Sequence, residues 1–232
     1  MPGVLGLIPA KGGSTRLARK NLRLLGGRPL LAWAAQAARE SGIIDRLVVS
    51  TEDAEVASTA RSLGIEVPFK RPAALARDPA GVSDVALHAL EFLEGEGSRF
   101  DTIVVLLPTC PLRAAEDVSG AYQVFRKHEA CFVLSVSPFD HTPFAAISVG
   151  GEDRVTPVFP QYFGHKSQEL PAAHRPNGAV HVMDATAFRA QRTYIGSPLF
   201  AYVMPPERSI DIDTELDLML AETILARNVG RG

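Results

Sequence analysis

The sequence predicts an α/β fold in which a mostly parallel central sheet is flanked by helices. Two observations support this prediction. Short apolar segments alternate with helical segments along the first 136 residues, which is typical of a parallel sheet covered on both faces. The chain has 232 residues, of which 46% are apolar and 22% are charged. A chain of this size and composition can bury one large core.

The first elements are the clearest. Residues 4–9 form a short apolar run before a glycine-rich loop, which indicates a buried strand. A helix is predicted over 30–39, directly after a proline whose fixed φ suits a first helical turn. Residues 47–50 predict the second strand. The helix predicted over 53–63 stops at a glycine, a typical helix terminator.

The later elements follow the same alternation. The remaining apolar runs predict strands at residues 65–69, 102–107, 131–136, 179–183 and 199–204. The remaining helical segments are predicted at residues 83–93, 114–128 and 215–227. Ligands of such sheets bind beyond the carboxyl ends of the strands. We therefore expect the chemistry in the loops after Pro9, Ser50, Phe69 and Leu107.

Residues 137–176 interrupt the alternation. This segment is rich in Pro, Gly, His and aromatic residues, and it is too long for an ordinary connection inside a compact domain. It is predicted to be either a small sub-domain with its own strands or an arm that packs on a partner subunit.

Composition excludes several classes of protein. The 24 basic and 26 acidic residues give a net charge of -2, so no general attraction to nucleic acid or a membrane surface is expected. Cys110 and Cys131 suit neither a disulfide framework nor a zinc site. The N-terminus does not resemble a signal peptide, and no apolar stretch reaches the length of a membrane span. A cytoplasmic protein is expected.

The loop at 10–21 has the composition of an anion site. Gly12 and Gly13 permit close approach of a ligand, and successive backbone N–H groups can cradle an anion. The cations of this loop are Lys11, Arg16, Arg19 and Lys20. Together these features suit a triphosphate, although the spacing is neither the P-loop nor the dinucleotide pattern. A solvated basic loop is the alternative interpretation.

Residues 209–217 carry closely spaced carboxylates. Asp211 and Asp213 alternate along an extended segment and can share a face. Mg²⁺ typically binds one or two carboxylates together with waters and phosphate oxygens. The alternative is a helix N-terminus alone. We assign the cap to Thr214 and the metal to Asp211 and Asp213.

Two further segments border the expected ligand edge. Residues 106–113 contain two prolines that fix the loop, and Cys110 within it is expected to be an inert thiol. In residues 174–179, Arg175 suits a carboxylate or phosphate, and Asn177-Gly178 is also a strong turn signal.

These segments together resemble the acylneuraminate cytidylyltransferases, or CMP-sialic acid synthetases, and their relatives that activate legionaminic acid and similar sugar acids. The resemblance spans essentially the whole chain. Its segments are residues 10–21, 49–53, 71–73, 108–113, 175–179 and 209–218. It implies a single Rossmann-like nucleotidyltransferase domain over 1–232, with a dimerisation arm at 137–176.

The resemblance also implies a reaction. A nine-carbon 2-keto-3-deoxy sugar acid attacks the α-phosphorus of CTP and gives the CMP-sugar and pyrophosphate. The catalytic residues implied are Lys20, Asp211 and Asp213, and the two carboxylates would bind Mg²⁺ or Mn²⁺. The nucleotide-binding residues implied are Lys11, Gly12, Gly13, Ser14, Arg16, Lys20, Asn21 and Arg71. Asp211 and a metal-bound hydroxide are both open as acceptor of the sugar proton.

The sugar-binding residues implied are Leu107, Gln168, Arg175 and Asn177, in a homodimer whose arm reaches the partner's active site. Leu107 stands where sialate-specific relatives carry Gln, Cys110 replaces a usual Ser, and Ser167 replaces an Arg. An apolar Leu107 loses a polar contact with the sugar, which can change discrimination strongly.

Two alternatives remain at this point. One is a nucleotidyltransferase of the same fold that uses an eight-carbon keto-deoxy acid or another nucleotide. The other is a non-catalytic, nucleotide-binding regulatory protein.

Overall fold

A computed structural model describes residues 3–14 and 16–229, and for 228 and 229 it describes the backbone alone. Its strands are β1 (Gly3–Pro9), β2 (Leu24–Leu25), β3 (Arg28–Pro29), β4 (Arg46–Ser50), β5 (Phe100–Val105), β6 (Phe132–Pro138), β7 (Ile147–Val149), β8 (Val155–Pro157), β9 (His174–Asp184) and β10 (Leu199–Val203). Its α-helices are α1 (Leu30–Glu40), α2 (Ala54–Ser62), α3 (Val82–Gly95), α4 (Ala115–Lys127), α5 (Ala185–Gln191) and α6 (Glu215–Val229).

The main sheet has the strand order β10-β6-β9-β5-β1-β4. β1 pairs in parallel with β4 and β5, and β10 pairs in parallel with β6. β9 is antiparallel to both of its neighbours, β5 and β6. The prediction of a mostly parallel sheet flanked by helices is therefore confirmed.

Residues 65–69 do not form the predicted strand. Their pairing in the described structure is a single bridge between Val48 and Glu66. Pro68 has no N–H group to continue a ladder of hydrogen bonds, which explains why the pairing stops there.

β9 also departs from prediction. It begins at His174, and the Asn177-Gly178 turn signal lies inside it. There the pairing with β6 shifts register between Leu134 and Val136, and Gly178 has a φ of +72°. The left-handed backbone that a turn would need is thus used for a bulge. The short helix α5 directly after β9 was not predicted.

Both faces of the sheet are covered. Val104 packs in the cluster formed with α1, α2 and α4, whereas Ile103 and Val105 pack in the cluster formed with α3 and α5. Successive residues of a strand point to opposite faces. β5 must therefore be apolar throughout, which is the pattern that its sequence shows.

A buried ion pair fixes the chain after β10 against α4. Asp117 is fully buried and accepts hydrogen bonds from Arg208 Nε and Nη2, both at 2.9 Å. The Tyr202 hydroxyl donates to the same carboxylate at 3.3 Å. A Cβ on Gly120 would lie 2.6 Å from the Tyr202 ring, so this approach requires glycine. The segment that contains Asp211 and Asp213 is thereby held in place.

Between β6 and β9 the chain makes a long excursion that includes the β7–β8 hairpin. Large apolar side chains of this excursion are exposed. They are Phe139, Ile147, Val149, Val155, Val158 and Phe163. Separately, no helix in the described part of the chain is long and apolar enough to cross a membrane.

His181 of β9 should make stability depend on pH. Its side chain is buried against the Tyr194 ring, and burial lowers its pKa to about 4, against about 6.5 in an unfolded chain. Between these values the unfolded state binds more protons. The free energy of unfolding should therefore fall by about 3 kcal/mol as the pH drops from about 6.5 to about 4.

Denaturant titrations across this pH range measure the effect. His181→Phe should remove that part of the slope, whereas His165→Gln, at an exposed position, should retain it. Equal slopes in the two variants would contradict the assignment.

Candidate active site

A cleft of about 420 Å³ opens beyond the carboxyl ends of β1 and β5, a volume within the range of small-molecule sites. The nucleotide-binding residues predicted from sequence meet there. Those that line the cleft are Lys11, Gly13, Ser14, Arg16, Lys20, Asn21 and Arg71. Leu107 and Thr109 line it from the loop after β5.

The loop 10–21 is anchored at several points. The Ala10 N–H donates to the Ser50 carbonyl at 3.0 Å, and the Asn21 amide donates to the Lys11 carbonyl at 2.7 Å. Leu17 is buried in an apolar cluster with Ile212 and Leu218. These contacts bring the first loop of the chain against the segment before α6.

Gly12 has a different place from the one predicted. It is not among the residues that line the cleft, and its N–H donates to Glu52 Oε1 at 2.8 Å. A Cβ at this position would lie 2.5 Å from Asp53 Oδ2. Glycine is required at position 12 because the loop lies directly against the residues that follow β4. The Gly12 N–H is already engaged in its hydrogen bond with Glu52.

One carboxylate holds two of the predicted phosphate-binding cations. Asp213 Oδ1 lies 2.5 Å from Lys20 Nζ, and Asp213 Oδ2 lies 2.6 Å from Arg16 Nη2. The Lys20 side chain is 17% exposed. This local excess of positive charge, with Lys11 and Arg71 on the same cleft, is suited to a polyanion.

Asp211 is the more deeply placed of the two predicted metal ligands. Burial raises its pKa, the hydrogen bond with the Thr109 side chain opposes that shift, and the charge of Asp213 adds to it. Its Oδ1 is buried without a hydrogen-bond partner among the described residues. Such an oxygen is costly unless a ligand satisfies it.

The two carboxylates fit a magnesium ion whose remaining ligands would be waters and substrate phosphates. In the described part of the chain, no group of three or more His, Cys, Asp or Glu side chains could hold a metal. Mg²⁺ commonly takes one or two carboxylates and completes its shell with waters and substrate phosphates. The orphaned oxygen of Asp211 beside Asp213 matches that donor set.

Arg71 is buried at the back of the cleft. Its Nε donates to Ser50 Oγ at 3.0 Å, its Nη2 donates to the Ser50 carbonyl, and its Nη1 lies 3.7 Å from Glu52 Oε2. Burial lowers its pKa, and the charge of Glu52 opposes that shift. The guanidinium is therefore held in one orientation.

Sequence reasoning missed three residues that shape the cleft: Glu52, Thr109 and Arg113. Thr109 binds Asp211 through its side chain, and its carbonyl accepts the Ile212 N–H at 2.7 Å. Arg113 is buried and donates to the carbonyls of Leu107 and Ala179. Burial lowers the pKa of Arg113 to about 10. The signals that could have identified them were two charged residues and one polar residue inside loops already expected to border the ligand.

The predicted sugar-binding residues separate into two groups. Leu107 lines the cleft, and its Cδ1 lies 3.1 Å from where a Cβ on Gly178 would be. Gln168 and Arg175 are not among the lining residues of this protomer's cleft.

Asn177 does not have the geometry of a sugar ligand. It is 1% exposed. Its amide oxygen accepts from Ser135 Oγ at 2.6 Å, and its amide nitrogen donates to Ser209 Oγ at 2.9 Å. Its polar atoms are engaged inside the protein, which argues against the predicted sugar contact.

Cys110 is fully buried, and burial raises the pKa of its thiol to about 12. This agrees with an inert thiol.

Comparisons with known proteins identify the family to which the chain belongs. Residues 5–140 match a family model described as Cytidylyltransferase. The chain is 31% identical over 230 residues to CMP-N,N'-diacetyllegionaminic acid synthase of Legionella pneumophila, with 97% of each chain covered. It is 29% identical over 224 residues to pseudaminic acid cytidylyltransferase of Campylobacter jejuni, again with 97% of each covered.

Two further matches bear on domain extent and fold. The chain is 28% identical to N-acylneuraminate cytidylyltransferase of Escherichia coli and spans 52% of that protein's length. The structure of CMP:2-keto-3-deoxy-manno-octonic acid synthetase complexed with CTP superposes with a TM-score of 0.73 at 15% identity, covering 97% of this chain and 99% of the other. At that identity the likeness concerns the fold. The family model, which covers more than half of the chain, and the full-length relative from Legionella establish that this chain belongs to the cytidylyltransferase family.

Proposed function

We propose that this protein transfers CMP from CTP to a nine-carbon 2-keto-3-deoxy sugar acid and releases pyrophosphate. The observation that carries the proposal is the cleft lined by the cations Lys11, Arg16 and Lys20. Asp213 does not line the cleft, but it holds Lys20 and Arg16 through two ion pairs and lies near Asp211, which has an unpartnered buried oxygen among the described residues. The relatives from Legionella and Campylobacter, named for legionaminic and pseudaminic acid, support this class of sugar acid.

The chemistry is an in-line displacement at phosphorus. The oxygen of the anomeric hydroxyl forms a bond to the α-phosphorus, the bond from that phosphorus to the bridging oxygen breaks, and pyrophosphate leaves with the electron pair. The hydroxyl proton passes to a base. Lys11, Arg16 and Lys20 line the cleft where they would neutralise the phosphate oxygens.

Asp211 and Asp213 would hold Mg²⁺ or Mn²⁺, which supplies charge neutralisation at the phosphates. Asp213 keeps Lys20 and Arg16 in place through two ion pairs. Binding of the triphosphate would give these cations new anionic partners. Asp213 thus positions the two cations before the substrate binds, which lowers the cost of ordering their long side chains.

The sugar side of the cleft favours a less polar substrate than N-acetylneuraminate. Leu107 has no hydrogen-bonding group for a hydroxyl or acetamide of the sugar, and Gly178 leaves its side chain room. A polar group of the sugar placed against Leu107 would lose its hydrogen bond to water without replacement. We propose a legionaminic-like or pseudaminic-like acid as the preferred substrate.

We further propose a homodimer formed through the arm at 137–176, and a cytoplasmic location where CTP is available. The first proposal is supported by the six large apolar residues that are exposed within this one segment of the chain, because exposed apolar surface concentrated in one region is typical of an interface. Gln168 lies on the arm, away from its own cleft, and is proposed to contact sugar in the partner. Arg175 lies in β9, paired with Ser137 of β6, and we keep it as a proposed contact of the sugar acid.

Pyrophosphate release from the four nucleoside triphosphates, measured against sialic, legionaminic, pseudaminic and eight-carbon keto-deoxy acids, tests the function. We expect release with CTP and Mg²⁺, at least about tenfold faster with legionaminic or pseudaminic acid than with sialic acid. Leu107→Gln should narrow that ratio. CTP binding without release for any acid would indicate the regulatory alternative instead, and release only with the eight-carbon acid would contradict the proposed sugar class.

Asp213→Asn should separate catalysis from nucleotide binding. Turnover with Mg²⁺ should fall by at least about 100-fold, because a metal ligand and the anchor of Lys20 are lost. In EDTA, calorimetry should show a much smaller change in the Kd for CTP than the change in turnover, because the nucleotide must then order Lys20 and Arg16 itself while the competing carboxylate is gone.

The matched control is Glu215→Gln, which removes an exposed carboxylate paired with Arg23 and should change neither value. Wild-type turnover in Asp213→Asn would refute the assigned role.

A dimer formed through the arm should dissociate when charged residues replace exposed apolar residues of the arm. Val149 is 67% exposed and Phe163 is 55% exposed. Sedimentation should show the wild type at twice the chain mass of 24.9 kDa and Val149→Asp/Phe163→Asp shifted toward the monomer, with pyrophosphate release reduced. Gln168→Ala should remain dimeric and raise KM for the sugar acid alone. A monomeric wild type with full activity would exclude this assembly.

A further inference from the structure

We propose that Glu52 is a positioning residue that fixes two walls of the nucleotide cleft, through Gly12 on one side and Arg71 on the other, without touching the nucleotide. The inference rests on the proposed use of this cleft for CTP. Glu52 follows the carboxyl end of β4 and is not among the residues that line the cleft. Each of its carboxylate oxygens faces a different segment of the cleft.

The first oxygen holds the loop at 10–21. Glu52 Oε1 accepts the Gly12 N–H at 2.8 Å, and a hydrogen bond to a charged acceptor is stronger than one between neutral groups. Gly12 also lies so close to Asp53 that a Cβ could not be accommodated. The backbone of the loop therefore rests on the residues just after β4, next to Gly13 and Ser14, which do line the cleft.

The second oxygen faces Arg71. Glu52 Oε2 lies 3.7 Å from Arg71 Nη1 and is buried without a hydrogen-bond partner among the described residues. The hydrogen bonds of the guanidinium go to the hydroxyl and carbonyl oxygens of Ser50, which are neutral. Arg71 is 3% exposed. A buried cation needs an opposite charge, and Glu52 supplies it.

The negative charge itself is informative. A carboxylate beside an anion-binding cleft repels a triphosphate, and a neutral amide would accept the Gly12 N–H without that penalty. The charge is explained by Arg71, which is buried and lines the cleft. The two oxygens of Glu52 thus have separate roles, and two substitutions can distinguish them.

Glu52→Ala removes both contacts, whereas Glu52→Gln keeps an acceptor for the Gly12 N–H and removes the charge that faces Arg71. For Glu52→Ala we expect the Kd and KM for CTP to rise by about tenfold or more, while KM for the sugar acid stays within about twofold of the wild type. Glu52→Gln should give an intermediate Kd for CTP.

Hydrogen exchange supplies a readout that does not depend on activity. The amide of Gly12 should exchange faster in Glu52→Ala, and it should stay protected in Glu52→Gln because the amide oxygen still accepts its hydrogen. Should Glu52→Ala fail to fold, Glu52→Gln alone still tests the Arg71 half, by a weaker Kd for CTP with Gly12 protected. An unchanged Kd there would overturn that half.

Glu66→Ala is the matched control, because Glu66 pairs with Arg46 at the opposite end of β4, with 2.8 Å between Glu66 Oε2 and Arg46 Nη2. It should leave CTP binding unchanged. Wild-type CTP affinity in Glu52→Ala, or equal losses for CTP and sugar acid, would overturn the positioning role. A wild type that binds no CTP would instead refute the proposed function itself, and this inference with it.

Discussion

The contact between Lys20 and Asp213 is the constraint on which the cleft depends. It joins side chains that lie 193 positions apart in sequence, at 2.5 Å. The first loop of the chain and the segment before the last helix are also held together by the Arg16–Asp213 ion pair and by a small apolar cluster around Leu17 and Ile212. Without the ion pair, the cations of the first loop would face solvent individually, and their side chains would have to be ordered by the substrate.

This contact in turn requires rigid supports on both sides. Asp117 and Arg208 fix the segment after β10 to α4, and Thr109 fixes the backbone of Ile212 to the loop after β5. On the other side, the Asn21 amide and the Gly12 N–H fix the shape of the loop at 10–21. The charged groups of the site are thereby held by neutral or fully paired groups around them, as a site for phosphoryl transfer requires.

Most strands of the main sheet could be predicted from the sequence, but the antiparallel direction of β9 could not. Residues 102–107 are apolar without alternation, and that pattern correctly indicates a strand covered on both faces. Direction is not encoded in such a pattern. The reversal of β9 follows from the long excursion before it, which returns the chain beside β6. Residues 65–69 were wrongly predicted as a strand because their apolar composition resembles one, whereas Pro68 interrupts the ladder of hydrogen bonds.

The site was predictable where residue type and loop position agreed. Lys20 and Arg16 stood in a loop at the expected edge, whereas Asp213 was assigned from the spacing of two carboxylates, and its contact with both cations was not anticipated. Glu52 and Arg113 could not be assigned, because their roles depend on which carbonyl or amide lies opposite, and that is fixed only in three dimensions. Asn177 shows the opposite case. It was predicted to bind the sugar, but its side chain is turned inward and forms hydrogen bonds with Ser135 and Ser209.

The antiparallel placement of β9 beside β6 has a consequence for how such proteins can diversify. Because β6 and β9 are neighbours of opposite direction, the chain between them leaves and re-enters the sheet at the same end of these two strands. The 139–173 segment is therefore topologically the tip of an enlarged hairpin. Its length and contacts can change through insertion or exchange without altering the strand order or the nucleotide cleft.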